Sequence, residues 1–318
     1  MSRNLVPSAL AGVLLSGSAL ADVPRVAVDI APVHALVAQV MAGVGEPSLI
    51  VSPGASPHEF SLRPSQAGAL QDADVVVWVS PDLTPWLGEA MESLAQGAVS
   101  LELLETDGTV ELPLREGASF EAHEHGGDAH DTDHDDENDH DHDHDHGHGT
   151  HDPHAWLSPD NGAVWLDAIA TVLAQADPEH AAAYAANAEA GKAELAALKA
   201  EIDGILAPVR GGHFIVFHDA YQYFEAAFDM PATGAISLSD AARPSPARIA
   251  EIRGRVAAEG VTCVLSEPQF DPGIVAAVMD GSGARTGVLD PMGSGLEPGP
   301  GLYGDMLRGL AVALAGCL

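Results

Sequence analysis

Short apolar runs alternate with longer amphipathic stretches over most of this chain. Residues 25–30 (Arg-Val-Ala-Val-Asp-Ile) predict a strand, and the apolar spacing over 33–44 fits a helix. A second short strand is expected at 49–51, followed by the turn-rich segment 52–60 with Pro53, Gly54 and Pro57. A helix over 64–70 leads into Asp74-Val75-Val76-Val77-Trp78-Val79, an unbroken apolar run of the kind covered on both faces in a parallel sheet. A helix over 85–95 and a strand over 99–101 complete this half. The later half predicts a helix over 159–174 and then an Ala-rich segment from Pro178 to about 206. Ala, Glu, Leu and Lys dominate that segment, so a helix of about 40 Å is expected there. Alternation resumes with strands at 213–217, 261–265 and 286–289 and helices at 221–228, 245–259, 271–279 and 302–315.

Strand and helix in turn indicate parallel α/β sheets, with functional residues on loops at the carboxyl ends of strands. The long helix exceeds a routine crossover, which points to two α/β lobes that it joins rigidly. The expected boundaries are 22–158 for the first lobe, 159–208 for the connecting helices and 209–318 for the second lobe. The halves share an architecture but no convincing sequence repeat.

Residues 121–151 break the pattern. They alternate Asp and His from Asp139 to His146, hold nothing that could build a core, and are expected to be a disordered loop. Residues 121–152 carry 13 Asp and Glu with no Lys or Arg, within a chain of formal charge −34. So acidic a chain repels nucleic acid and anionic lipid and attracts cations. An acidic spacer would explain the Asp but not the His. Imidazole and carboxylate are ligands for divalent metals, so His123, His125, His130, His134, His140, His142, His144, His146, His148 and His151 are candidate accessory metal ligands.

The first 21 residues have a signal-peptide form: Arg3, a short apolar region, then Ala19-Leu20-Ala21. Pro7, Gly12, Ser16 and Gly17 interrupt the run, which falls short of a transmembrane span. Cleavage after Ala21 and export are expected. In an exported protein the two cysteines, Cys263 and Cys317, form an expected disulfide tying the last helix to a central strand.

Four candidate metal ligands are placed alike. His58 follows the strand 49–51, His218 ends 213–217, Asp290 ends 286–289, and His154 stands at the exit of the acidic loop. Singly, a strand-end His or Asp is more often a turn or cap residue. Together, three imidazoles and a carboxylate facing one inter-lobe cleft make a tetrahedral site suited to Zn²⁺. Glu59 is an alternative ligand or a hydrogen-bonding neighbour. His34 in the first helix, His180 on the long one and His213 at a strand start are expected to be structural or solvated.

Several stretches carry a resemblance: Ser56-Pro57-His58-Glu59-Phe60-Ser61-Leu62-Arg63-Pro64-Ser65, Asp74 to Val79, His154-Ala155-Trp156-Leu157-Ser158-Pro159, Phe217-His218-Asp219-Ala220-Tyr221-Gln222-Tyr223-Phe224 and Leu289-Asp290-Pro291-Met292-Gly293. They resemble the periplasmic zinc-binding proteins of ABC uptake systems (the ZnuA type, cluster A-I of the solute-binding proteins). The resemblance spans essentially the whole chain after residue 21. It implies two lobes joined by a backbone helix, with Zn²⁺ held between them. The family's three-His site falls on His58, His154 and His218, with a carboxylate or water completing the shell. Glu59 follows His58 rather than preceding it, so Asp290 is the preferred fourth ligand.

The resemblance thus implies a non-enzymatic, monomeric receptor that captures Zn²⁺ in the periplasm and delivers it to a membrane ABC permease, with a periplasmic metallochaperone as a further candidate partner. Manganese- or iron-binding relatives are the nearest alternative, but manganese binders typically carry a carboxylate where His218 stands, and a third imidazole favours Zn²⁺. A zinc hydrolase is the enzyme alternative, yet His58-Glu59-Phe60-Ser61-Leu62 fails the H-E-x-x-H pattern at Leu62. A metal buffer acting through the acidic loop alone is the third.

Overall fold

The computed structural model of the chain describes residues 23–115, 151–237, 244–279 and 281–318. The first 22 residues, and with them the expected cleavage point, lie outside the described residues, as does the acidic segment up to residue 150.

The first half contains β1 (Val26–Val28), α1 (Ala31–Val40), β2 (Ser48–Leu49), α2 (Pro64–Gln71), β3 (Val75–Trp78), α3 (Pro85–Leu94) and β4 (Val99–Glu102). Next come α4 (Pro159–Ala176) and α5 (Ala181–Leu206). The second half contains β5 (Phe214–His218), α6 (Gln222–Phe228), β6 (Gly234–Ser237), α7 (Pro246–Ala258), β7 (Cys263–Ser266), α8 (Pro272–Met279), β8 (Arg285–Val288) and α9 (Leu302–Cys317). Two four-stranded sheets result, ordered β2-β1-β3-β4 and β6-β5-β7-β8, with every pairing parallel. The expected α/β class with two parallel sheets is what forms.

Proline opens α2, α3, α4 and α7, where its missing N–H and fixed φ cost nothing. Ser158 and Ser245 cap α4 and α7 by accepting from Asn161 N and Arg248 N. The strand β6 is absent from the sequence-based reading. It is a four-residue edge strand, Gly-Ala-Ile-Ser, aligned with β5 so that Ser237 lies beside His218. So short a run with one large apolar residue has too little periodicity to be seen locally. His180 likewise sits at the N-terminal cap of α5 rather than on its surface. There its Nδ1 donates to the buried Asp177 at 2.7 Å.

Strand alternation sorts the core into layers. Val26, Val28, Val75 and Val77 of the first sheet face the same continuous apolar core as Phe214 and Val216 of the second. Ala27, Val76 and Trp78 line a separate outer layer under α2 and α3, and Ile215, Phe217 and Val264 another under α7 and α8. The central core is bridged by α5, which buries Tyr184, Ala188, Gly191, Leu195, Leu198, Ile202 and Leu206 along one stripe. Its 26 residues span about 39 Å. Gly191 is required where helices cross: a Cβ there would stand 2.8 Å from Leu166 and 2.9 Å from Gln39. The disulfide Cys263–Cys317 joins β7, an inner strand, to the end of α9, as expected.

Candidate metal centre

His218 is the last residue of β5. Strand parity places it with Phe214 and Val216 on the side of the central core. Only about 4% of it is exposed. Its Nδ1 donates to Glu267 Oε1 at 2.6 Å, and Glu267, the residue after β7, is itself buried. Glu267 Oε2 accepts from Gln269 at 2.8 Å, so the carboxylate is fixed at both oxygens.

His154 repeats this arrangement. It precedes a 3-10 turn, Ala155–Leu157, and its Nδ1 donates to Asp152 Oδ1 at 2.7 Å while its backbone N–H reaches the same oxygen at 3.0 Å. Ring N–H donation to a carboxylate places the proton on Nδ1 and leaves Nε2 as the unprotonated nitrogen that can bond a metal. The turn is anchored from the second half of the chain. Trp156 Nε1 donates to Pro291 O at 2.8 Å, and the Tyr303 hydroxyl donates to Trp156 O at 2.7 Å. Gly162 makes room for that tyrosine, since a Cβ there would stand 2.6 Å from its oxygen. Tyr223 donates to Asp152 O and accepts from Leu112 N, so α6 also grips both sides of the segment that enters and leaves the acidic region.

His58 comes from the turn-rich loop after β2, as expected, and is half-buried. Trp86 Nε1 holds the loop through Pro57 O at 2.8 Å, and Phe60 packs on Trp86 with ring centroids 5.4 Å apart. The three imidazoles are brought together. His154 lies between the other two, its centroid 5.8 Å from His58 and 5.3 Å from His218, with rings inclined at 60° and 67°. Imidazoles bound to one tetrahedral ion at about 2.0–2.1 Å place their centroids roughly 5 Å apart. Among the described residues no three His, Cys, Asp or Glu side chains already close tightly enough to hold an ion. His58 and His218 each stand within one ring-to-ring contact of His154.

Asp290 follows β8 and is half-buried. Its Oδ1 accepts from Met292 N at 3.2 Å, and its Oδ2 from Ser294 Oγ at 2.8 Å and Gly295 N at 3.3 Å. The next residue, Pro291, accepts from Trp156 Nε1, and Trp156 packs on the His154 ring at 5.3 Å. Glu59 is exposed. Among the loop histidines only His151 is described, paired with Glu111 at 3.2 Å; His123, His125, His130, His134, His140, His142, His144, His146 and His148 lie outside the described residues.

Asp152, Glu267 and Tyr223 had no place among the residues expected from sequence. Asp152, two residues before His154, was the one with a local signal. A further charged group adjoins the site: Arg115 binds Asp219 at 3.0 Å and Glu225 at 2.7 Å. Burial pushes the Asp219 carboxyl up to about 6, with Arg115 opposing and Asp152 and Glu225 adding to the rise.

A family model described as ZnuA, zinc-uptake complex component A, periplasmic, matches residues 26–317. The chain is 47% identical over 310 residues to the high-affinity zinc uptake system protein ZnuA of Paracoccus denitrificans (strain Pd 1222), covering 94% of this chain and 93% of the relative. It is 44% identical over 331 residues to the protein of that name from Brucella abortus (strain 2308), covering 99% of each. Among solved structures, a crystal structure of ZnuA superposes with a TM-score of 0.73 at 23% identity, over 93% of this chain and 99% of that one. A solute-binding protein, FpvC from Pseudomonas aeruginosa in complex with Mn²⁺, gives a TM-score of 0.75 at 20% identity, over 93% and 98%. At those identities the two structures speak to the fold alone. The family-model match and the two close relatives establish that this chain belongs to the ZnuA family of periplasmic zinc-uptake components.

Proposed function

We propose that the chain captures Zn²⁺ in the periplasm through His58, His154 and His218, completes the shell with Asp290, and delivers the ion to a membrane ABC permease. The observation that carries the ligand set is the pair of buried carboxylate–imidazole contacts, Asp152 to His154 and Glu267 to His218, beside a third imidazole. Such contacts fix the ring, set its tautomer and raise the basicity of the metal-bonding nitrogen. Three nitrogens and one carboxylate oxygen suit Zn²⁺ better than the oxygen-seeking Mn²⁺. Four protein ligands leave no open position for water, which is the arrangement of a binding site and not of a hydrolytic one. Glu59, the base that a hydrolase would require, faces solvent. No covalent chemistry is needed. Capture requires a shell that closes, and hand-off requires that docking to the permease lower its affinity.

Among the described residues no helix is long and apolar enough to cross a membrane. The family is periplasmic. Cleavage after Ala21, a monomeric state and supply by a metallochaperone belong to the same proposal. So does a collecting role for the histidines of the acidic segment, which rests on their composition and on the short step from His151 to His154.

Titration against a calibrated zinc chelator tests the ligand set. The full chain should show one tight site, and His58→Ala, His154→Ala and His218→Ala should each weaken it by about 100-fold or more, beyond what loss of an outer partner does. Tight binding retained by all three variants would sink the assignment.

A further inference from the structure

The backbone that leads into and out of the acidic segment contains an incomplete strand pair. Pro113 and His151 face each other in antiparallel fashion, which sets Leu112 opposite Asp152. In a regular ladder two residues so placed exchange both backbone bonds. Here one forms directly, from Asp152 N to Leu112 O at 2.8 Å. In place of the other stands the Tyr223 hydroxyl, from α6. It accepts from Leu112 N at 2.9 Å and donates to Asp152 O at 2.8 Å. The tyrosine is 1% exposed, so packing holds the hydroxyl in that gap. A direct bond would bring Leu112 N within about 2.9 Å of Asp152 O, and two bonds through an inserted oxygen keep them further apart.

The residue held open in this way is the one that orients His154. Asp152 Oδ1 takes both the backbone N–H and the ring Nδ1–H of that histidine. Gln222 completes the hold: with its amide nitrogen facing the strand pair, it donates to Asp152 Oδ2 at 3.3 Å and to Pro113 O at 3.1 Å. Gln269 stands in the same relation to Glu267 Oε2, behind His218. Taking His154 as a ligand of the proposed site, we propose that Tyr223 and Gln222 are positioning residues for metal capture, which place Asp152 and through it the His154 imidazole. Loss of the hydroxyl either closes the pair by a direct Leu112–Asp152 bond or leaves two buried backbone groups unpaired. Both draw Asp152 away from the position at which one oxygen serves two N–H groups.

Tyr223→Phe in the full chain tests this. Zn²⁺ affinity, measured by chelator competition, should fall about 3- to 10-fold, the scale of one neutral hydrogen bond. A general loss of stability does not select one imidazole, so the deciding readout is proton NMR of the metal-free protein. The Nδ1–H of His154 and that of His218 should give separate downfield signals, assigned by their displacement in Asp152→Ala and Glu267→Gln. Tyr223→Phe should shift and broaden the first and leave the second in place. Gln222→Ala should act in the same direction more weakly, and this half-buried position serves if Tyr223→Phe does not fold. In an Asp152→Ala background neither substitution should lower Zn²⁺ affinity further. An unmoved His154 signal in both variants would overturn the proposal, and so would a full additional loss of affinity in the Asp152→Ala background. The ligand assignment fails in a different way. His154→Ala would then retain tight Zn²⁺ binding while Tyr223→Phe still moved the His154 signal, which removes His154 from the metal and leaves the contact with Tyr223 standing.

Discussion

The two sheets are built alike, yet the carboxyl ends of their first strands carry different residues. Each has the order of an inner first strand, a short edge strand after it, then the third and fourth strands, so β1 corresponds to β5 and β3 to β7. At the carboxyl end of β1 stands Asp29, fully buried, with Oδ1 accepting from Ile30 N at 2.7 Å and Oδ2 from Val79 N at 2.8 Å just after β3. At the end of β5 stands His218, held by Glu267 just after β7. In both sheets a carboxylate ties the ends of the first and third strands. In the first sheet the carboxylate is on the first strand and both oxygens are spent on backbone N–H groups, a closed structural lock. In the second it is on the far strand and holds an imidazole. Equivalent positions in equivalent sheets therefore do different work, and the choice rests on which side of the pair carries the carboxylate.

The second sheet also carries the cross-link, and removing it should produce the largest effect on stability. Cys263 and Cys317 are 54 residues apart, and closing a loop of that length restricts the unfolded chain by about 4 kcal/mol as an upper figure. Replacing both by serine should lower the urea midpoint by up to that equivalent. Zn²⁺ affinity of the folded fraction should change little, since neither cysteine adjoins the imidazoles. A tight site lost while the fold persists would show that the disulfide positions His218.

The carboxylates themselves should separate cleanly. Glu267→Gln should weaken Zn²⁺ binding by about 10- to 100-fold, as for other outer partners of ligand histidines. Asp29→Asn should leave Zn²⁺ affinity unchanged but cost about 1–3 kcal/mol, because an amide N–H₂ then opposes a backbone N–H. That cost has a pH signature. Burial pushes the Asp29 carboxyl up to about 7, partly offset by the backbone N–H groups of Val79 and Ile30. The unfolded chain releases this proton near pH ~4, so between there and about 7 the folded state binds the extra proton. Stability due to Asp29 is therefore greatest at low pH, falls as pH rises through that window, and is flat above it. Asparagine has no such dependence. The deficit of Asp29→Asn in urea unfolding should consequently be larger at pH 5 than at pH 8; an equal deficit at both would mean that Asp29 ionises normally in the fold.

The smallest effect on the tight site is expected from the acidic segment. Deleting residues 123–148 should abolish a weaker, multiple-ion phase in calorimetry and leave one tight site, because the many interchangeable Asp and His ligands of that segment favour several weak sites over one strong one. If the tight site disappears instead, the ions are held by the segment and not by the cleft.

The alternation of strand and helix, the proline-marked helix starts, the long connecting helix and the cysteine pair were legible along the chain, because each depends on neighbours within a few residues or on simple composition. His58 and His218 could be placed at the ends of elements with a clear local pattern, and His154 at the exit of the acidic run; that their three rings come together is seen only in the fold. What could not be read was partnership. Glu267 lies 49 residues from His218 and Asp29 lies 50 from Val79, and only the parallel register brings those ends together. Strand β6 forms because β5 offers it an edge, and the Asp177–His180 contact forms because the chain turns there into α5. The exposure of Glu59 and the burial of Tyr223 likewise follow from how the loops and α6 pack against the core. Sequence periodicity determines which face of an element is apolar. Which carboxylate meets His218 depends on a distance that exists only once β5 and β7 have paired in register.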